Sequence, residues 1–121
     1  MTGAAIVRWE SAEADVLAVY GAFDGASAWA LRNAMDESPA RDFVVDLTHA
    51  IETCDFAAAL LATWSRARRS TKRVRFRAET PEQAALLAAH GLDVLDEDDA
   101  DALAFPFLPP PRSASPSGAP A

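Results

Sequence analysis

The chain's apolar period switches repeatedly, and this constrains its fold more than any other feature. Short dense apolar runs alternate with stretches whose apolar residues recur every three or four positions. "AIVRW" (5 to 9) is rich in β-formers and reads as a first strand. "VLAVYG" (16 to 21) is continuously apolar up to Gly21, as expected of a strand buried on both faces. In "FDGASAWALRNAM", Ala28, Leu31 and Met35 share one helical face, Ser27 is a candidate cap, and Ser38-Pro39 closes the helix. "DFVVDL" (42 to 47) predicts a central strand. From Asp55 onward Phe56, Leu60, Thr63, Trp64 and Ala67 form a stripe at helical spacing, ending near Ser70. "RVRFRA" alternates Val74 and Phe76 against arginines, the pattern of a strand with one wet face. Thr80-Pro81-Glu82-Gln83 has the form of a capping box and opens a third helix that Gly91 ends. "LDVL" is a last short strand, and "DEDDADALAFPFL" predicts a short terminal helix. The order β-β-α-β-α-β-α-β predicts one α/β domain over residues 1–105, with a mixed four- to five-stranded sheet and covering helices. Residues 106–121 are rich in Pro, Ser and Ala and predict a disordered tail.

Composition narrows the function classes. The net charge of −7 disfavours nucleic acid as a partner. A single cysteine forms no internal disulfide and no thiolate metal cluster. The first residues do not follow the charged-then-apolar pattern of a signal peptide, and no apolar run has the length of a membrane span. These observations lead us to expect a soluble, cytoplasmic protein without membrane insertion. No Gly-rich phosphate loop, no Ser–His pair with an orienting acid and no His-x-x-x-His is present, so no catalytic residue, metal ligand or cofactor site is expected.

Three quoted stretches resemble the STAS domain, the fold of bacterial anti-sigma factor antagonists. "VLAVYGAFDGASAWALRNAM" is similar to the family's second strand, turn and first helix, with Gly21, Phe23 and Asp24 at the matching positions. "FVVDLTHAIETCDFAAALLATWSRAR" resembles its third strand, loop and second helix. "KRVRFRAETPEQAALLAAHGLDVL" resembles its closing strand and third helix. The likeness spans residues 5 to 95.

At one place the pattern departs. The family motif Asp-Ser-Ser/Thr-Gly opens the second helix and carries a phosphorylatable serine. Aligned from Asp46-Leu47-Thr48, those positions are Cys54, Asp55, Phe56 and Ala57; a shift of one gives Asp55, Phe56, Ala57 and Ala58. Neither alignment places a hydroxyl at the phosphosite, which falls on Phe56 in the first. Asp55 reads either as an N-cap or as a fixed anion standing in for the modified state. Thr53, the nearest hydroxyl, reads as a displaced acceptor or as a loop threonine bonded to its own backbone. Cys54 reads as a thiol activated by the helix end or as an apolar filler. His49, Glu52, Asp55 and Asp46 read as solvated loop rather than a metal cluster. His90 reads as a cation at the third helix's C-terminus.

The resemblance implies a docking surface on the second helix and the loop before it. Ala58, Ala62 and Ser65, with Leu61 beside them, lie opposite the Phe56–Leu60–Trp64 stripe and are the candidate docking face. Trp29 lies off the first helix's apolar face and is a candidate anchor. Trp9 and Trp64 read as core. The implied function is a non-enzymatic protein-interaction module in bacterial signalling and transcription regulation. Its implied partner is a histidine-kinase-like ATPase anti-sigma factor. The alternative is a STAS-like regulatory subunit of a larger complex such as ABC-type lipid transport machinery. Oligomeric state is not encoded in these features.

Overall fold

The computed structural model describes residues 5–10 and 14–95. The expected terminal helix and the tail from 106 lie outside the described residues. Strands β1 (Ala5–Glu10) and β2 (Asp15–Phe23) form an antiparallel hairpin, and helix α1 (Gly25–Glu37) leads to β3 (Asp42–Asp46). A short strand β4 (Ala50–Thr53) precedes helix α2 (Asp55–Ala67). Strand β5 (Arg73–Arg77), helix α3 (Pro81–Ala89) and strand β6 (Asp93–Val94) complete the order. The sheet runs β1-β2-β3-β5-β6, with β2, β3, β5 and β6 parallel and β4 alongside the far end of β2. The expected mixed sheet with covering helices is what forms, with β4 as an additional strand.

Gly21 explains how β2 serves two parallel partners. Its φ of 108° is open to glycine, and the register slips between Gly21 and Ala22. Before this bulge β2 pairs with β3; after it β2 pairs with β4 and runs on to Phe23, beyond the expected end at Gly21. The stretch before α2 was expected to be loop, and four of its residues are strand instead. Pairing to the bulged end of β2 supplies the backbone partners that four residues without a clear apolar pattern do not signal.

Helix caps fix the connections. Asp24, not Ser27, is the N-cap of α1: Ser27 N donates to Asp24 Oδ1 (3.0 Å) and Asp24 N donates to Ser27 Oγ (2.9 Å). Ser27 therefore acts from the third helical position of a reciprocal capping box. Ser38 closes α1 as expected, and its buried hydroxyl donates to Asp15 Oδ2 (2.8 Å), which also pairs with Arg8. Thr80 caps α3 with Pro81 at the first turn, and Gly91 follows at φ 84°.

One large core lies between the helices and one face of the sheet. It joins Leu17, Val19, Phe43, Val45 and Phe76 from the strands to Leu31, Met35, Leu61 and Leu87 from the helices. Among the described residues, no helix is long and apolar enough to cross a membrane.

Candidate functional site

The junction between β4 and α2 is held by bonds to β2 and α3 rather than by a side-chain cap of its own. Cys54 is the N-cap of α2, extended at φ −94°, and makes no side-chain cap bond. This corrects the expectation for Asp55, which occupies the first helical position and cannot cap. There its carboxylate still faces the partly positive helix end. Asp55 Oδ1 lies 2.8 Å from His90 Nε2, so the end of α3 meets the start of α2 through this pair. His90 was expected to serve its own helix end; the chain partner 35 residues away carries no local sequence signal.

The other junction residues are equally engaged. Cys54 N donates to Phe23 O (2.9 Å), tying the junction to β2. Gln83 Nε2 donates to Thr53 Oγ1 (2.9 Å) and to Leu47 O (3.3 Å), so Thr53 answers α3 and not its own backbone. Cys54 is half-buried against the core, its sulfur 4.0 Å from Glu52 Oε2. His49 stacks on Tyr20 at 4.6 Å, while Asp46 is buried, accepts from Thr48 N and Oγ1, and pairs with Arg77 at 3.7 Å. Burial, and then the Asp46 carboxylate, push the Tyr20 phenol above its ordinary value. Among the described residues no group of three or more His, Cys, Asp or Glu side chains is placed to hold a metal ion.

The faces of α2 are the reverse of those expected. Ala58 and Leu61 are 0% exposed and Ala62 3%, all in the core, while Phe56 is 66% exposed. Ser65 is half-buried and Leu60 is only partly buried. Of the stripe expected to be core, Trp64 alone is fully inside. The physical reason lies in the sheet. Phe23, Phe43 and Phe76 already fill its helix side, so α2 approaches with alanines, large against small. The candidate docking face of Ala58, Leu61 and Ala62 is thus a packing face whose partner is the chain's own sheet.

What α2 turns outward is an apolar groove shared with α1. It encloses about 400 Å³ and is lined by Trp29, Phe56, Ala59, Leu60 and Thr63, with Arg32 and Arg68 at its rim. Trp29 is 52% exposed, as its position off the α1 face predicts, and the Arg32 guanidinium stacks over its ring at 4.3 Å. The Phe56 ring lies over Gly25 at the start of α1: a Cβ at Gly25 would stand 3.1 Å from Phe56 Cε2.

A polar clamp closes the other end of the groove. Asp36 Oδ1 accepts from Trp64 Nε1 (3.1 Å) and Arg68 Nε (2.6 Å), joining the last turns of α1 and α2. Partial burial works to raise the Asp36 pKa. The hydrogen bonds from Arg68 and Trp64, with the charges of Arg68 and Arg32, outweigh it and hold the carboxyl below its ordinary value.

A parallel sheet with helices on one side, a hairpin at its edge and an open α1–α2 groove define an α/β domain of the STAS type. The family described as "Mlab, STAS domain" matches residues 7–97, and the chain belongs to it. Among solved structures, the fold is similar to the anti-sigma factor antagonist SpoIIAA in its unphosphorylated form, at 13% identity and a TM-score of 0.61. That match covers 82% of this chain and 94% of SpoIIAA. A variant of RsbS from Moorella thermoacetica matches at 14% identity and a TM-score of 0.59, over 81% of this chain and 93% of that one. No curated protein matches the sequence.

Proposed function

We propose that this chain is a non-enzymatic STAS-type protein-interaction module of bacterial signalling, acting in the cytoplasm on transcription regulation. It docks a protein partner, of the histidine-kinase-like ATPase anti-sigma type, on the α1–α2 groove and the adjoining start of α2. The observation that carries this reading is the exposure of Trp29 and Phe56 on one groove. Two large aromatic side chains left in water beside a stacked arginine have the composition of an interface centre. The docking residues proposed on this basis are Trp29, Phe56 and Leu60, with Asp55 at the margin. Ala58, Leu61 and Ala62 support the surface from beneath.

The module works without the family's phosphoserine. Cys54, Asp55, Phe56 and Ala57 offer no hydroxyl, and the Thr53 hydroxyl is engaged by Gln83. A second reading, a STAS-like regulatory subunit of a larger complex such as ABC-type lipid transport machinery, draws on the same observation, since such a role requires no phosphate acceptor.

The test is affinity capture from the native host, followed by titration of the captured protein against wild type and Phe56→Arg. Loss of a hot-spot contact is expected to weaken binding by about thirtyfold, or ~2 kcal/mol. An ATPase-type partner supports the first reading and a transporter subunit the second. Equal binding by a folded Phe56→Arg protein overturns the placement of the surface.

A further inference from the structure

The α1–α2 groove has a direction. Helices α1 and α2 run side by side in the same sense: Gly25 meets Phe56 where both begin, and Asp36 meets Trp64 and Arg68 where both end. From Phe56 to Ala67 the groove follows α2 for about 16 Å, or about three helical turns.

Its walls offer an occupant no backbone partners. Both are helix surfaces, whose mid-helix N–H and C=O groups are bonded within the helix. The Thr63 hydroxyl already donates to Ala59 O (3.1 Å). An extended segment laid here would leave its own backbone groups unpaired against Phe56, Ala59 and Leu60. A helix satisfies its backbone internally and presents an apolar stripe instead.

The groove also has a sign. Among the described residues its lining includes Arg32 and Arg68 and no acidic side chain. Arg68 is already paired with Asp36 at 2.6 Å. Asp36 feels the charge of Arg32 but accepts its hydrogen bonds from Arg68 and Trp64. Asp55, at the Phe56 end, is paired with His90. Arg32 lies over the Trp29 ring at 4.3 Å, and Arg66 stands 3.5 Å from Thr63 Oγ1. Among the described residues neither forms an ion pair, and they flank the apolar floor from both helices. A guanidinium held over an indole keeps its N–H edge open to a carboxylate and is ordered beforehand. The chain as a whole carries −7, so a partner selected by overall charge would be basic. The groove favours the reverse.

We infer that the occupant of this groove is an amphipathic helix of a partner protein. Its apolar stripe lies over Trp29, Phe56 and Leu60, and flanking Asp or Glu side chains pair with Arg32 and Arg66. The inference rests on the docking reading above and adds the partner's chemistry to it.

Two synthetic helical peptides of about 18 residues test this. They share one leucine stripe, flanked by Glu in the first and by Lys in the second. Fluorescence anisotropy measures each against the full chain. At low salt the Glu peptide is expected to bind at least about tenfold more tightly, with the margin narrowing as salt rises. An Arg32→Glu, Arg66→Glu double variant is expected to invert the order, with circular dichroism checking its fold. Should that variant unfold, the two peptides on wild type decide alone. The inference is overturned if the Lys peptide binds as tightly as the Glu peptide or more so. Binding of neither at about 1 mM overturns it too, as does a Glu preference unchanged in the folded double variant. Titration of the captured partner separates this inference from the reading beneath it. Affinity lost in Phe56→Arg but kept in the double variant retains the groove and refutes the acidic helix. Affinity kept in both refutes the groove as well.

Discussion

Phe56→Ala and Leu61→Ala remove apolar side chains from opposite faces of α2, and the structure assigns them very different costs. Leu61 is 0% exposed among the phenylalanines of the sheet, so its truncation loses both transfer free energy and packing, about 2–5 kcal/mol. Phe56 is 66% exposed. Fully burying such a side chain contributes about 1.5–3 kcal/mol, so the third that is buried contributes at most ~1 kcal/mol. Alanine returns up to roughly 0.5 kcal/mol in helix propensity. The net cost of Phe56→Ala is therefore within about 0.5 kcal/mol of zero. Urea unfolding reads the difference directly. With a slope of ~1.5 kcal/mol per molar, the midpoint falls by about 1–3 M for Leu61→Ala and stays nearly fixed for Phe56→Ala. Equal shifts in the two variants refute the assigned orientation of α2. A larger shift for Phe56→Ala than for Leu61→Ala would return Phe56 to the core and Leu61 to the surface, and would remove the groove as the proposed docking site.

Two further outcomes follow from the contacts around that groove. Asp36 has a folded-state pKa below its unfolded value, so its contribution to stability is present above the unfolded pKa and is lost as pH falls through the folded one. Acid titration of stability in wild type and Asp36→Asn should show the difference between them shrinking over that window. A constant difference would mean that shape, not charge, holds the clamp. Gly25→Ala places a methyl 3.1 Å from an exposed ring that is free to swing outward. It should be neutral to stabilising by about 0.5 kcal/mol in thermal unfolding, and a loss above ~1 kcal/mol would show that the Phe56 ring is fixed in place.

Much of the fold was legible because its signals are local. The apolar runs at β2 and β3, the alternation at β5 and the Thr80–Gln83 cap each declare an element within a few residues. Trp29 was legible as exposed because it stands off a clear Ala28–Leu31–Met35 face. The inside of α2 was not legible for the opposite reason. "DFAAALLATW" is apolar all round, so its periodicity offers two stripes and cannot say which meets the sheet. That choice is made by Phe23, Phe43 and Phe76, which lie far away in sequence and are met by an α2 face of Ala57, Ala58 and Ala62 with Leu61 and Trp64. Strand β4 failed to register because its pairing rests on a bulge at Gly21 in another strand. Asp24 was passed over as a cap although Asp-Gly-Ala-Ser has the three-residue spacing of a reciprocal box.

The same long-range contacts bear on what replaces a serine at the head of α2. A phosphoswitch works by changing how one junction presents itself, and it requires that junction to be biased by a single charge. Here the junction is tied from several sides: Cys54 N to Phe23 O, Thr53 to Gln83, and Asp55 to His90. Two of these ties come from α3, so the two helices form one connected surface, the one proposed above for docking. A junction fixed this way suits constant recognition, with Phe56 projecting beside it as an apolar anchor. Gln83→Ala would be the sharpest probe of that idea. It removes two hydrogen bonds to the β3–α2 connection and a third, accepted from Glu79 N at the entry to α3, a loss of about 1.5–4.5 kcal/mol. It leaves Trp29 and Phe56 in place. If the fixed junction matters, partner affinity falls in Gln83→Ala although no residue of the groove has changed; unaltered affinity would assign recognition to the groove alone.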